Sequence, residues 1–169
     1  MKTKLSHGST NAKQGIHSAA PMIVEPLTDT EAIASLLFMI EEEKMAMDVY
    51  ETLYAQTGLA IFDKIASSEE RHMESLIKAA SALGVDTSSI SMEDGVFTNE
   101  DIGALYTTLI TQAALSTEDA LAVGALIEET DIADLQSAIA ETDVVLLGQV
   151  YNNLLNGSEH HLSAFEYYL

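Results

Sequence analysis

Three carboxylates and two histidines in this chain have the types and spacing to hold a metal ion. Glu69 and His72 sit in the run E69-E-R-H72. A Glu-x-x-His spacing puts both side chains on one face of a helix, where an oxygen and an imidazole nitrogen can reach a shared ion. Glu43 lies in E-K-M-A-M-D-V-Y, Glu128 in L-I-E-E-T-D and His161 in N-G-S-E-H-H-L. Oxygen and imidazole donors suit iron and manganese without selecting between them. The chain has no cysteine, so thiolate nucleophiles, Cys-ligated zinc, iron–sulfur clusters and disulfides are all excluded.

The charge balance points the same way. Of 169 residues, 27 are Asp or Glu and 7 are Lys or Arg, a formal net charge of -20. Such a field repels phosphate backbones and anionic headgroups, so neither nucleic acid nor an acidic membrane surface is expected as a partner. The last fixed positive charge is Lys78. Acids beyond it either form a solvated surface that keeps the protein soluble or attract cations. No apolar run approaches the roughly 20 residues of a membrane span. The first 27 residues hold basic side chains with no apolar block behind them, unlike a secretory signal. The compartment stays open: cytoplasm is the default, and an extracytoplasmic place would follow only if a leader had been removed.

These side chains need a scaffold, and the sequence supplies one. With 47% apolar residues the chain can bury a core as one domain. Residues 1–27 carry both prolines and no period, which predicts a flexible leader, with the folded domain at 28–169. T28-D-T-E31 has the spacing of a capping box with Thr28 at the N-cap, and opens the first long helix. Its apolar face runs Ile33, Leu36, Ile40, Met47, Tyr50 and Tyr54, and Gly58 stops it. A second helix shows Phe62, Ile65, Leu76, Ala79 and Leu83 and ends before Gly84. After a polar connector, Thr98 with Asp101 opens a short helix to about Leu115. S-T-E-D opens a third long helix bearing Leu121, Ala125, Ile132, Leu135 and Ile139. Thr142 and Asp143 start the fourth, with Leu147, Tyr151, Leu154, Phe165 and Tyr168. Hairpin signals are almost absent, so the class is all-α: an up-down four-helix bundle with a crossover and a short extra helix between helices two and three.

Each long helix has a gap in its apolar stripe. Glu43 stands between Ile40 and Met47, Glu69 and His72 between Ile65 and Leu76, Glu128 between Ala125 and Ile132, and Ser158 with His161 between Leu154 and Phe165. A carboxylate in an apolar core costs several kcal/mol unless it is paired or bound to a cation. No Lys or Arg shares these stripes, which leaves protonation or a metal to neutralise the acids. The remaining acids of E41-E-E43, Glu41 and Glu42, are expected on a solvated face, and Tyr50 and Tyr151 are expected as packing residues with satisfied hydroxyls rather than as radical or proton carriers.

This constellation resembles the ferritin-like di-iron carboxylate bundles, rubrerythrin and bacterioferritin among them. The likeness covers about residues 28–169 and is closest at helix one, where Ala46 and Tyr50 follow Glu43, and at helix two. More narrowly, G-A-L-I-E-E-T-D-I-A-D-L and N-G-S-x-x-H-L-x-A-F are similar to an uncharacterised ferritin-like family. The resemblance implies two irons, or manganese, held by Glu43, Glu69, His72, His161 and a helix-three acid. Periodicity selects Glu128, whereas likeness to bacterioferritin's Glu-x-Asp-Val segment selects Glu129 and adds Asp131 as a further donor. It also implies oxidation of Fe(II) by oxygen or peroxide, of ferroxidase or peroxidase type, and by analogy a homodimer. The sequence departs from symmetric di-iron bundles at Ser158, where a second Glu-x-x-His would place a carboxylate. Glu159 lies about 100° away round the helix unless Gly157 kinks it, and His160 competes with His161 for the inward position. The alternative is a non-catalytic acidic helical bundle that acts as a cation-binding or structural module.

Overall fold

A computed structural model of the chain describes residues 25–169. It holds five helices: α1 (Thr30–Thr57), α2 (Ala60–Ala82), α3 (Glu100–Ala113), α4 (Thr117–Glu141) and α5 (Val145–Glu166). No strand occurs among the described residues, in keeping with an all-α class. The leader expected over residues 1–27 lies mostly outside the described residues. At its end, the Leu27 N–H donates to the Leu83 carbonyl at 2.9 Å, which ties the chain to the end of α2.

The helix ends follow from local chemistry, with three departures from expectation. Asp29, not Thr28, caps α1: its Oδ1 accepts from the N–H groups of Glu31 and Ala32 at 2.9 and 3.0 Å. Asn99, not Thr98, caps α3, because the Thr98 and Asn99 N–H groups both donate to the Glu41 carboxylate. The last helix starts at Val145 after the N-cap Val144, which has no side-chain cap bond, so Thr142 and Asp143 precede it. As expected, Ser116 caps α4 through the Asp119 N–H, and Gly58 ends α1 with φ 69, a left-handed conformation that glycine adopts without steric cost.

Helices α1 and α2 pack as one pair and α4 and α5 as another; α2 meets α5 and α1 meets α4 where the pairs face, while α3 lies against α1 and α4. The apolar stripes form two separate clusters. One surrounds Tyr50, Phe62 and Phe165, whose ring centroids lie 5.5 to 6.2 Å apart. The other gathers Leu36, Ile40, Leu76, Leu135, Tyr151 and Leu154. Every stripe gap falls between these clusters, so a polar layer crosses the middle of the molecule. The stripes themselves shift at their ends: Leu53 is buried where Tyr54 was expected, Met47 is only half-buried, and Tyr168 is exposed beyond the end of α5.

Helix α1 is buried on all sides from Met39 to Ala46. Glu41 and Glu42, expected on a solvated face, are therefore inside. The connector after α2 and the N-terminus of α3 cover the Glu41 side of α1, a non-local event that helix periodicity cannot register. The cover is fastened by Lys44 and Asp48, both buried. Lys44 Nζ lies 2.6 Å from Asp48 Oδ2 and 2.8 Å from the Glu93 carbonyl, and 4.6 Å above the Phe97 ring; the Gly95 N–H donates to Asp48 Oδ2 at 2.9 Å. These contacts satisfy charges that would otherwise be costly to bury.

Candidate metal centre

The polar layer draws one residue or pair from each of four helices. Glu43 comes from α1, Glu69 and His72 from α2, Glu128 from α4 and His161 from α5, and the carboxylates are each at most 2% exposed. Glu69 is the hub. Its Oε2 lies 2.7 Å from His72 Nδ1 and its Oε1 lies 2.7 Å from His161 Nδ1. His72 Nδ1 is also 3.3 Å from Glu43 Oε2, and His161 Nδ1 is 3.5 Å from Glu128 Oε2. Two groups result, Glu43–Glu69–His72 and Glu69–Glu128–His161, each with donor atoms within 4.8 Å of one another. Either could hold a metal ion, and Glu69 belongs to both.

The contacts are short, yet several buried atoms in them have no partner in hydrogen-bonding geometry: Glu43 Oε1, Glu69 Oε1, His72 Nδ1 and His161 Nδ1. Buried polar atoms are nearly always satisfied. Donor atoms that converge without aligned hydrogen bonds are the arrangement a shared cation requires.

The surroundings fix these side chains in place. Tyr50 donates its O–H to Glu128 Oε1 at 2.5 Å and lies 3.2 Å from the Gly124 carbonyl, a packing residue whose hydroxyl is satisfied within the layer. The His72 and His161 rings stack with centroids 5.5 Å apart. Gly157 of α5 lies against His72: a Cβ there would come within 2.6 Å of Nε2. The α5 helix nevertheless runs unbroken from Val145 to Glu166, so Gly157 makes room for the imidazole without unwinding the helix.

Electrostatics divides the acids. Burial pushes Glu128 up to about 8, against the opposing influence of the neighbouring His161. Burial also carries Glu43 well above the usual carboxylate range, helped by the charges of Asp131 and Glu69. Glu69 behaves oppositely: burial would raise it, but the close contacts with His161 and His72 hold it down to about 2. His161 rises to about 10, because its contacts with Glu128 and Glu69 outweigh the opposing effect of burial. In the absence of a cation these shifts favour protons on Glu43, Glu128 and His161, while Glu69 stays ionised.

On α4, Glu128 points into the layer while Glu129 is exposed and belongs to neither group. On α5, His161 faces inward, whereas His160 and Glu159 are exposed. Ser158 is fully buried and donates to the Leu154 carbonyl, so α5 brings no carboxylate. Asp131, 5% exposed, lies opposite Ser158 and lines the same small cavity as Glu43, Glu69 and Glu128. Glu42 lines it too, and sequence reasoning missed it; no periodic signal marks a residue whose cover comes from elsewhere in the chain.

Residues 32–169 match the family described as an uncharacterized protein domain, DUF2202. The chain belongs to the DUF2202 family. Over 141 residues it is 40% identical to the uncharacterized protein MJ0754 of Methanocaldococcus jannaschii, across 83% of this chain and 76% of that protein. The crystal structure of the hypothetical protein MJ0754 from the same organism matches the fold with a TM-score of 0.80, covering 88% of this chain and 83% of the other. At 40% identity over most of both chains, the family likeness spans all four helices that carry the polar layer.

Proposed function

We propose that this DUF2202 chain is a ferritin-like four-helix bundle, with the segment between α2 and α4 as its crossover, that holds two divalent cations in its polar layer and oxidises Fe(II) with oxygen or peroxide. The observation that carries this reading is Glu69: one carboxylate, deeply buried, has one oxygen against each of two histidines, and each histidine has a further carboxylate beside it. A carboxylate shared by two groups of acids and imidazoles would suit iron, and manganese is the alternative ion. Glu43 and His72 would hold the first ion with Glu69, and Glu128 and His161 the second. When bound, the metal supplies the redox chemistry. The chain's own side chains orient the ions, exclude water with the apolar clusters on either side, and hold protons at Glu128 and Tyr50 Oη. Ser158 stands where a symmetric centre would place a carboxylate, so the second position would have one protein ligand fewer from α5.

Ser158 also supports the second reading, a bundle that binds cations without turning over. Two measurements separate the possibilities. Protein purified without chelator is expected to carry iron or manganese, and apo protein given Fe(II) in air is expected to consume oxygen; uptake without oxidation would favour the second reading. A cation at a hundredfold excess over its Kd should stabilise the fold by roughly 2.7 kcal/mol, which for a chain of this size raises Tm by about 5 to 10 °C. Glu69→Ala should abolish that shift for both positions. An unchanged Tm in wild-type protein with Fe(II), Mn(II) and Co(II) would sink the metal-centre reading.

A further inference from the structure

The two seams that flank the centre are built differently. On the α2–α5 side the histidines close it, with the Gly157 backbone against His72. On the α1–α4 side no imidazole is present, and Glu42 and Asp131 line the cavity that leads to Glu43, Glu69 and Glu128. That cavity measures about 10 Å³, room for roughly one water or ion. Glu42 and Asp131 are 4% and 5% exposed, and each has an oxygen, Glu42 Oε2 and Asp131 Oδ1, that accepts no hydrogen bond. Outward from them, the half-buried Asp134 contacts the Glu42 side chain. Protein cations are committed elsewhere: Lys44 is held by Asp48 and Glu93, and neither α4 nor α5 contains a Lys or Arg.

We propose that Asp134, Glu42 and Asp131 form an entry route for divalent cations through the α1–α4 seam to Glu43. This rests on the metal-centre reading and adds the path by which it fills. Asp134 meets the hydrated ion at the surface, and the two buried carboxylates replace water as the ion moves inward. The small side chain of Ala46 lines the cavity beside these carboxylates. Successive carboxyl oxygens along the seam offer an entering ion ligands in place of the water it sheds.

The test is stopped-flow loading of the full apo chain with Co(II), followed by its visible absorbance, with bound cobalt counted at the end. Glu42→Gln should reach the wild-type cobalt count while loading several-fold more slowly, because an amide offers a passing ion a weaker oxygen donor than a carboxyl group that can release its proton. Asp134→Asn should load several-fold more slowly and show a weaker dependence on salt. Glu129→Gln, which removes an equal charge from the exposed face of α4, should load as wild type does. Equal rates in all four proteins overturn the route, as does equal slowing by Glu129→Gln. A lower final count in Glu42→Gln with an unchanged rate would make Glu42 a ligand and also overturn it. Failure of wild-type protein to take up cobalt at all would instead remove the centre on which the route depends.

Discussion

Gly157 is the point where a backbone, not a side chain, bounds the centre. A β-carbon at this position would sit 2.6 Å from His72 Nε2, too close for any real contact. Gly157→Ala therefore sets two effects against each other. Inside a helix the exchange should favour folding by up to about 1 kcal/mol. It also forces the His72 ring to turn, and disturbing the groups that orient a metal ligand weakens binding by roughly 10- to 100-fold. The expected outcome is a variant whose apo form is as stable as wild type or more so, with Co(II) affinity reduced by that factor in a titration. Unchanged affinity would mean that His72 is free to move. The same scale shows why the centre is legible in the sequence. Glu43, Glu69, His72, Glu128 and His161 each interrupt an apolar stripe, and a charged residue in a periodic apolar series is conspicuous. Glu129 owes its candidacy to resemblance alone, and the structure leaves it on the exposed face of α4.

Among the elements, α1 is the one whose surroundings the sequence conceals. Its apolar period accounts for the face against α2 and α4, while burial from Met39 to Ala46 extends right round the helix. The extra cover comes from residues more than forty positions away: Glu41 accepts from the Thr98 and Asn99 N–H groups, and Lys44 with Asp48 fastens Glu93 and Gly95. Local reasoning assigns such acids to solvent because that is where most of them belong. Lys44 is the keystone of this attachment. Lys44→Met leaves Asp48 buried without its counter-charge and should cost about 3 to 5 kcal/mol. Removing both charges in Lys44→Met/Asp48→Leu should recover much of the loss, since buried ion pairs often exchange for apolar residues at little cost. Urea denaturation midpoints decide the matter. A single substitution costing less than about 1 kcal/mol would show that the pair behaves as an exposed one.

For the molecule as a whole, the net charge of -20 has two parts with different consequences. Most of the acids are solvated, but a handful lie between the two apolar clusters, and these make the stability of the apo protein depend on pH. Burial raises Glu128 to about 8, Glu42 to about 9 and Asp131 to about 7. A carboxyl whose folded pKa lies above its unfolded value binds its proton more tightly in the folded state. Its contribution is complete below about pH 4, where the acid is protonated in both states, and is lost as pH rises through the folded value. His161, raised to about 10, has the same sign, contributing fully below its unfolded pKa and losing that contribution as pH climbs. Glu69, held down to about 2, acts in the opposite sense only in strong acid, outside this window. All the large shifts between pH 5 and 9 therefore act together, and the apo protein should lose stability steadily across that range. A bound cation reverses the trend, because it displaces those protons and its affinity grows as they leave. Thermal melts at pH 5, 7 and 9 should show Tm falling with pH in chelator and the gap between metal-loaded and apo protein widening. A Tm in chelator that rises from pH 5 to 9 would mean that the buried acids are ionised and already paired without a metal.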